Sequence, residues 1–311
     1  MNQTLLGALF LSIAASIWGG MYVVVKVVID VVPPLELIWL RYAIALLALF
    51  VIGLITKQSW RIAKKDWLLI FLIGLIGNTI SIITQEVGTM LSTAQMGAII
   101  TATTPAFMVL FARIILKEKL TFKKILSILF ASTGVCTIIG FSGFDDSFQL
   151  GGISLLIAAL TWSLMSVLIK RIPGHYSQIV ITTYAIVVAM ILLTPFTVYR
   201  LPALDWTAMM HPTIWGGFIY LGVISTAIGF LLWNRGLQML KASSGGLFFF
   251  FQPIVGTLLG WLLLGEEIGF SFWIGIILIV MGVLLVIRDE KKEEVVLLHD
   301  LEAETTNPSF K

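Results

Sequence analysis

Charged residues inside apolar stretches are costly and usually serve a purpose. Three such residues stand out in this chain. Glu86 lies in the apolar run 67–87 with no base near it in sequence. A carboxylate at such a depth can exchange a proton, but its place near the outer end of the run favours a solvated interfacial group. Arg41 lies about six residues into the run 35–56. Its fork of donors suits a substrate carboxylate; the alternatives are a pair with Glu36 or a side chain reaching outward along its apolar stem. Lys26 ends the first run and is repeated by Lys170, which reads as a pair of anchors at helix ends.

Neutral groups extend the list. Trp18 and Trp162 fall mid-run, away from the interfacial belt, where they wall a cavity or fill a core. Asn78 and Gln85 with Thr79, Thr101 with Thr104, Thr226 with Asn234, and Gln252 place donors and acceptors on the third, fourth, eighth and ninth runs. Singly each can be glue between helices; together they predict a polar cavity among those four helices. Pro105 and Pro253 fall near the middle of their runs, where proline kinks a helix. Gly256 and Gly260 make a small-xxx-small pair suited to close helix packing. Enzyme chemistry lacks its constellation. His175, His211 and His299 share no helix face, Asp145 and Asp146 have no partner motif, and no phosphate-cradling loop occurs. Cys136 is the one cysteine, so no intramolecular disulfide or cysteine-based metal site is expected. No metal or cofactor is expected.

These residues must be positioned by helices in a bilayer. The 311 residues are 59% hydrophobic and 12% charged, with a mean hydropathy of +1.02, too few polar groups to cover a water-facing surface. Ten apolar runs of spanning length occur: 5–26, 35–56, 67–87, 93–115, 122–141, 150–169, 178–199, 212–234, 243–264 and 269–287. Barrel strands would be shorter and alternating. The first run has no basic flank in "MNQT" and is long for a signal core, so it is read as a helix.

The loop bases set the orientation. Lys57, Arg61, Lys64 and Lys65, the group from Arg113 to Lys124, Lys170 with Arg171, and Arg235 with Lys241 all fall on one side of the ten runs. Asp30, Asp145, Asp146, Glu266 and Glu267 fall on the other, with Arg200 as their one clear base. Short basic loops stay in the cytoplasm, so both ends are expected inside. An internal repeat agrees. Pro105, Glu118 and Gly134 recur 148 residues later as Pro253, Glu266 and Gly282, and Trp18 recurs 144 later as Trp162. "YAI" from Tyr42 recurs 142 later, which pairs Arg41 with Thr183. Five helices separate the copies, so the second enters from the opposite face. That inversion explains why Arg113, Lys117, Lys119, Lys123 and Lys124 are replaced by Trp261, Gly265, Glu267, Ser271 and Phe272.

The stretches "SIWGGMYVVVK", "PLELIWLRYAIALL", "LSTAQMGAIITATTPAFMVLFARIILKEKLT" and "FLLWNRGLQMLKASSGGLFFFFQPIVGTLLGWLLLGEEI" resemble the EamA-type members of the drug/metabolite transporter superfamily over about residues 7–288. The resemblance implies ten helices in two inverted five-helix repeats, and export or exchange of small metabolites, often amino acids, across the bacterial inner membrane. The expected fold is thus an all-α polytopic membrane protein. Its first repeat is 1–144, its second 145–288, and 289–311 is a cytoplasmic tail with seven acids and three bases. The expected partners are a small-molecule substrate, the lipid bilayer and protons, with no nucleic acid. Superfamily relatives with four helices use a glutamate in the first helix for protons, and no carboxylate occurs in the first run here, which leaves Glu86 as the coupling candidate. Exchange of phosphorylated or nucleotide-linked solutes is the alternative within transport, and a membrane sensor or scaffold the alternative outside it.

Overall fold

The computed structural model describes residues 3–91, 100–101, 103–139, 148–264, 270, 273–282, 284–285 and 288. No strand occurs among them. Besides the short turns Leu201–Ala203 and Trp206–Met209, ten helical elements occur among the described residues, in order. They are α1 (Gln3–Ile29), α2 (Pro34–Ile55), α3 (Lys64–Leu91), α4 (Thr104–Ile115), α5 (Phe122–Ile139), α6 (Phe148–Ile169), α7 (Gln178–Thr197), α8 (Pro212–Met239), α9 (242–264) and α10 (Trp273–Gly282). Six, namely α1, α2, α3, α6, α7 and α8, are long and apolar enough to cross a membrane. Helices are what such a sequence must form, because in hydrocarbon every backbone polar group needs a partner within its own segment. Leu47, Ile55, Phe122, Ile191 and Phe196 are exposed, as suits a lipid-facing surface. Asp145, Asp146, Glu266, Glu267, the tail 289–311 and the Cys136 side chain lie outside the described residues.

Two helices carry the same irregularity. The middle of α3, Gly74–Ser81, and of α8, Tyr220–Ile228, is π-helical. In each a threonine hydroxyl donates five residues back, Thr79 Oγ1 to the Gly74 carbonyl at 3.0 Å and Thr226 Oγ1 to the Leu221 carbonyl at 2.7 Å. Such insertions into the helical ladder recur at functional sites.

Glycines let the helices meet at backbone distance, and their contacts recur with roles exchanged. A Cβ on Gly74 would meet the Ala185 carbonyl and Val188; on Gly222, the Arg41 carbonyl and Ile44. A Cβ on Gly88 would meet the Gly151 carbonyl and Leu155; on Gly236, the Gly7 carbonyl and Leu11. Every α1–α2 residue here is related to its α6–α7 counterpart by 144, and every α3 residue to its α8 counterpart by 148. That exchange is what a two-fold relation between the copies requires. Burial agrees, since Leu37 and Ile181, Ala45 and Ala189, and Leu49 and Leu193 are all buried. The counterpart of Arg41 is therefore Ala185 and not Thr183. The "YAI" match misleads because it sets buried Tyr42 against half-buried Tyr184.

Two more expectations need correction. Pro105 stands in the first turn of α4, after a turn at Thr103, and Pro253 is the third residue of Phe251–Leu264, just after the 3-10 stretch Gly246–Phe250. Pro105 thus opens its helix, where no intrahelical N–H is lost, whereas Pro253 lies inside α9, at the change from 3-10 to α-helix. Lys170 does not reach outward. Its Nζ donates to the carbonyls of Leu237 and Leu240 at 2.7 Å each, closing the last turn of α8, where a cation complements the helix dipole. Lys26 is exposed, in keeping with an end anchor.

Gly236→Ala should lower stability by about 1–3 kcal/mol, because the new methyl falls 2.7 Å from Leu11 and 3.0 Å from the Gly7 carbonyl. Gly216→Ala, in the same helix with nothing within 4 Å, should be neutral or slightly stabilising. Thermal unfolding in detergent compares the two, and equal effects would contradict the packing.

Candidate functional site

The most polar feature of the interior is a buried ion pair. Arg41 on α2 is 0% exposed and Glu86 on α3 is 1% exposed, and Arg41 Nη1 donates to Glu86 Oε1 at 2.6 Å. Arg41 Nε donates to Thr226 Oγ1 on α8 at 3.0 Å, and Nη2 lies 3.7 Å from Met21 Sδ on α1, a weak acceptor. Four helices from both copies thus converge on one guanidinium. Glu86 is not a solvated interfacial group, and Arg41 neither pairs with Glu36 nor reaches outward. Sequence distance hid the pair, because 45 residues separate its members. Glu36 is buried as well, with neither carboxylate oxygen bonded, in the first turn of α2 where the helix dipole favours an anion.

Arg41 lines a cavity in which the centre of a water molecule ranges over about 30 Å³. Of the other candidates, Trp18, Gln85, Thr101, Trp162 and Gln252 line it too, while Asn78, Thr226, Asn234 and Glu86 do not. Thr226 and Glu86 act instead by holding Arg41. Asn78 gives its backbone carbonyl to Tyr42 Oη at 2.6 Å, and Asn234 Nδ2 donates to Thr182 Oγ1 at 2.9 Å. The cavity was expected among the third, fourth, eighth and ninth helices. In fact α1 and α6 supply much of the wall, through Trp18, Met21 and Tyr22 and through Leu155, Ala158, Ala159 and Trp162. These small and apolar residues carry no polar signal, which is why the sequence reading passed over most of them. Tyr22 Oη shares a 3.0 Å hydrogen bond with Thr101 Oγ1.

Aromatic rings pack beside the cavity. Trp18 has ring centroids at 5.2 Å from Trp162, 5.3 Å from Trp233, 5.7 Å from Phe249 and 5.9 Å from Phe230. Such offset and edge contacts add to the area that aromatic residues bury. The Phe248–Phe251 run was the available signal for Phe249.

Far along α4 from the cavity, polar bonds tie the α4–α5 link to the start of α9. Lys117 at φ 57° turns the chain so that the Glu118 N–H bonds back to the Ala112 carbonyl. The Glu118 carboxylate then accepts from the Ala242 N–H at 2.9 Å, the Ser243 N–H at 3.2 Å and the Ser243 hydroxyl. Lys124 Nζ, itself buried, donates to Ser243 Oγ at 2.8 Å. A small apolar cluster of Ala112, Val167 and Ala242 lies alongside. In the sequence, Glu118 stood out only as a repeat marker and Lys124 only as a loop base.

A helical membrane protein in which both copies of a repeat wall one cavity around a buried arginine has the architecture of a solute transporter. The chain belongs to the EamA-like transporter family, whose description fits residues 5–140 and again 149–288. It is 26% identical over 280 residues to an uncharacterized transporter of Archaeoglobus fulgidus, covering 89% of this chain and 97% of that one. It is 26% identical over 292 residues to the uncharacterized transporter YoaV of Bacillus subtilis, covering 92% and 97%. A crystal structure 19% identical to it, covering 93% of this chain and 98% of that one at a TM-score of 0.72, shares its fold.

Removing one member of a buried ion pair strands the other charge, whereas removing both leaves an apolar contact. Arg41→Leu and Glu86→Leu should each cost about 3–5 kcal/mol, and the double substitution clearly less than their sum. A double-mutant cycle of unfolding in detergent checks this, and additive losses would mean that the pair is not coupled.

Proposed function

We propose that this transporter is a secondary carrier that exports or exchanges small zwitterionic metabolites, amino acids above all, across the bacterial inner membrane by alternating access. The observation that carries this reading is the Arg41–Glu86 pair with Arg41 in the cavity wall. A zwitterion brings its own two charges of opposite sign. Its carboxylate takes the Arg41 fork, and the Glu86 charge held behind that guanidinium balances its ammonium, so that no net charge is added to the buried site. The rings of Trp18, Trp162, Phe230 and Phe249 take the apolar part of the solute.

Ten spanning helices in two inverted repeats, 1–144 and 145–288, with both ends and the tail 289–311 in the cytoplasm, complete the proposal. The exchanged contacts of the glycines support a two-fold axis, and the basic loops support the orientation. The knot at Glu118 then closes the cytoplasmic end. Among the described cavity residues Arg41 is the only base, which disfavours phosphorylated or nucleotide-linked solutes. Protons enter at Glu86, the carboxylate bound to the same guanidinium as the solute.

Two measurements test this. Purified protein should be thermally stabilised by one group of amino acids and not by sugar phosphates or nucleotides; the reverse outcome would promote phosphorylated solutes. In proteoliposomes, Glu86→Gln should abolish flux driven by a pH gradient while a weakened exchange persists. Unchanged pH-driven flux would remove Glu86 from coupling, and binding without any flux would make the protein a sensor.

A further inference from the structure

The two copies give an internal control for residues in the cavity wall. A group that the fold requires tends to recur in both copies, while a group that the solute requires need not. Trp18 and Trp162 are counterparts, 144 apart, and both line the cavity. Trp18 Nε1 donates to the Ser225 carbonyl at 3.0 Å, which joins α1 to α8. Trp162 Nε1 is buried and donates to nothing. Thr104 and Gln252 are counterparts as well, 148 apart, and again both line the cavity. Thr104 is short, and its backbone carbonyl accepts from Ser163 Oγ at 3.0 Å. Gln252 carries a longer amide, 4% exposed, whose Oε1 is buried without a donor.

Buried polar groups nearly always find a partner, so each exception needs an explanation. Other unpartnered oxygens, on Glu36, Glu86, Ser225 and Gln178, belong to residues that line no described cavity, and Glu86 already holds Arg41 through its other oxygen. Trp162 and Gln252 differ from them in that they share one cavity and are of opposite type, and the short Thr104 in the place of Gln252 shows that the fold does without the amide. Trp162 offers a donor that can do nothing but donate, and Gln252 offers an acceptor.

We propose that Trp162 and Gln252 determine specificity by reading a neutral group on the solute that both accepts and donates a hydrogen bond, a hydroxyl or a carboxamide. The inference rests on the amino-acid reading above. Arg41 and Glu86 hold the main-chain charges, and the Trp162–Gln252 pair selects amino acids with hydroxyl or carboxamide side chains over apolar side chains of the same size. Discrimination comes from the penalty on the wrong solute. An apolar isostere leaves both protein groups buried and unpaired, and a site built to bond a polar group rejects the analogue lacking it far more strongly than an apolar pocket rejects an added methyl.

The experiment uses the full-length protein and thermal-shift titration with L-threonine against L-valine and L-glutamine against L-norleucine. The wild type should bind the polar member of one pair at least about tenfold more tightly. Trp162→Phe keeps the ring and removes the N–H; Gln252→Met keeps the length and removes the carbonyl. Each should bring the ratio close to one and leave the apolar member's affinity within about twofold, and variants that keep the wild-type ratio would overturn the proposal. A wild type with no preference for the polar member would overturn it too. Melting without ligand gives a second readout. Trp162→Phe should leave the melting temperature nearly unchanged, whereas Trp18→Phe should lower it by a few degrees through loss of the bond to Ser225. An equal fall in both would mean that the Trp162 N–H has a structural partner, and the proposal fails. If no amino acid binds the wild type but another polar solute does, and both variants weaken it, the amino-acid reading falls and the recognition pair stands.

Discussion

The ion pair between Arg41 and Glu86 is the constraint on which the rest of the interior depends. Two opposite charges out of water attract strongly but have lost their hydration, and the balance is favourable only when geometry is good and the remaining donors are satisfied. Arg41 meets that condition only if α2, α3 and α8 hold a fixed register, since Glu86 takes one donor and Thr226 another. The backbone makes this possible at Gly222. A Cβ there would press on the carbonyl of Arg41 itself, so the absence of a side chain in α8 sets the distance at which Thr226, four residues on, can reach the guanidinium. The π-helical stretch spanning Gly222 and Thr226 rotates the residues beyond it, and its counterpart in α3 does the same ahead of Glu86.

Around this centre the two copies agree, and at the centre they differ. The contact glycines 74 and 222, and 88 and 236, keep equivalent neighbours, because helix separation tolerates little change. The ion pair has no second edition. Ala185 stands where Arg41 would recur and Asn234 where Glu86 would, and Asn234 turns to Thr182 instead. A neutral hydrogen bond thus joins α7 to α8 where a salt bridge joins α2 to α3. The scaffold accepts either, so the charges in the first copy are not demanded by folding.

The helices were legible in the sequence because length and apolarity suffice to specify them, and α1, α2, α3, α6, α7 and α8 agree with the runs read there. The repeat was legible through Trp18, Pro105 and Glu118, but its register in α2 was not. Aromatic and alanine matches are cheap in so apolar a chain, whereas burial and backbone contact count every residue. Trp18, Arg41 and Gln252 were identified as cavity candidates by being polar or bulky in the wrong place for lipid. Glu86 was singled out in the sequence but given the wrong surroundings, because pairing across 45 residues is a tertiary fact. The Glu118 knot escaped for a related reason. A carboxylate between lysines in a short loop reads as solvated, and only the fold brings the start of α9 against it.

Under the proposed alternating access, that knot bears on how the carrier would move. Its described bonds run from Glu118 in the loop and Lys124 on α5 to the first two residues of α9, and a hydrogen bond to a charged group contributes about 1.5–3 kcal/mol net. The apolar cluster beside it is small. The described bonds of this closure therefore amount to several kcal/mol, a gap between two conformations that differential ligand binding can reverse. Sealing that end with a core like the one around Trp18 and Trp233 would bury far more aromatic area and exceed what the binding of a small solute returns. An end held by a helix N-terminus and one carboxylate can separate as a unit, since water replaces each bond on opening. The aromatic layer can then stay packed around the cavity while the loop parts from α9.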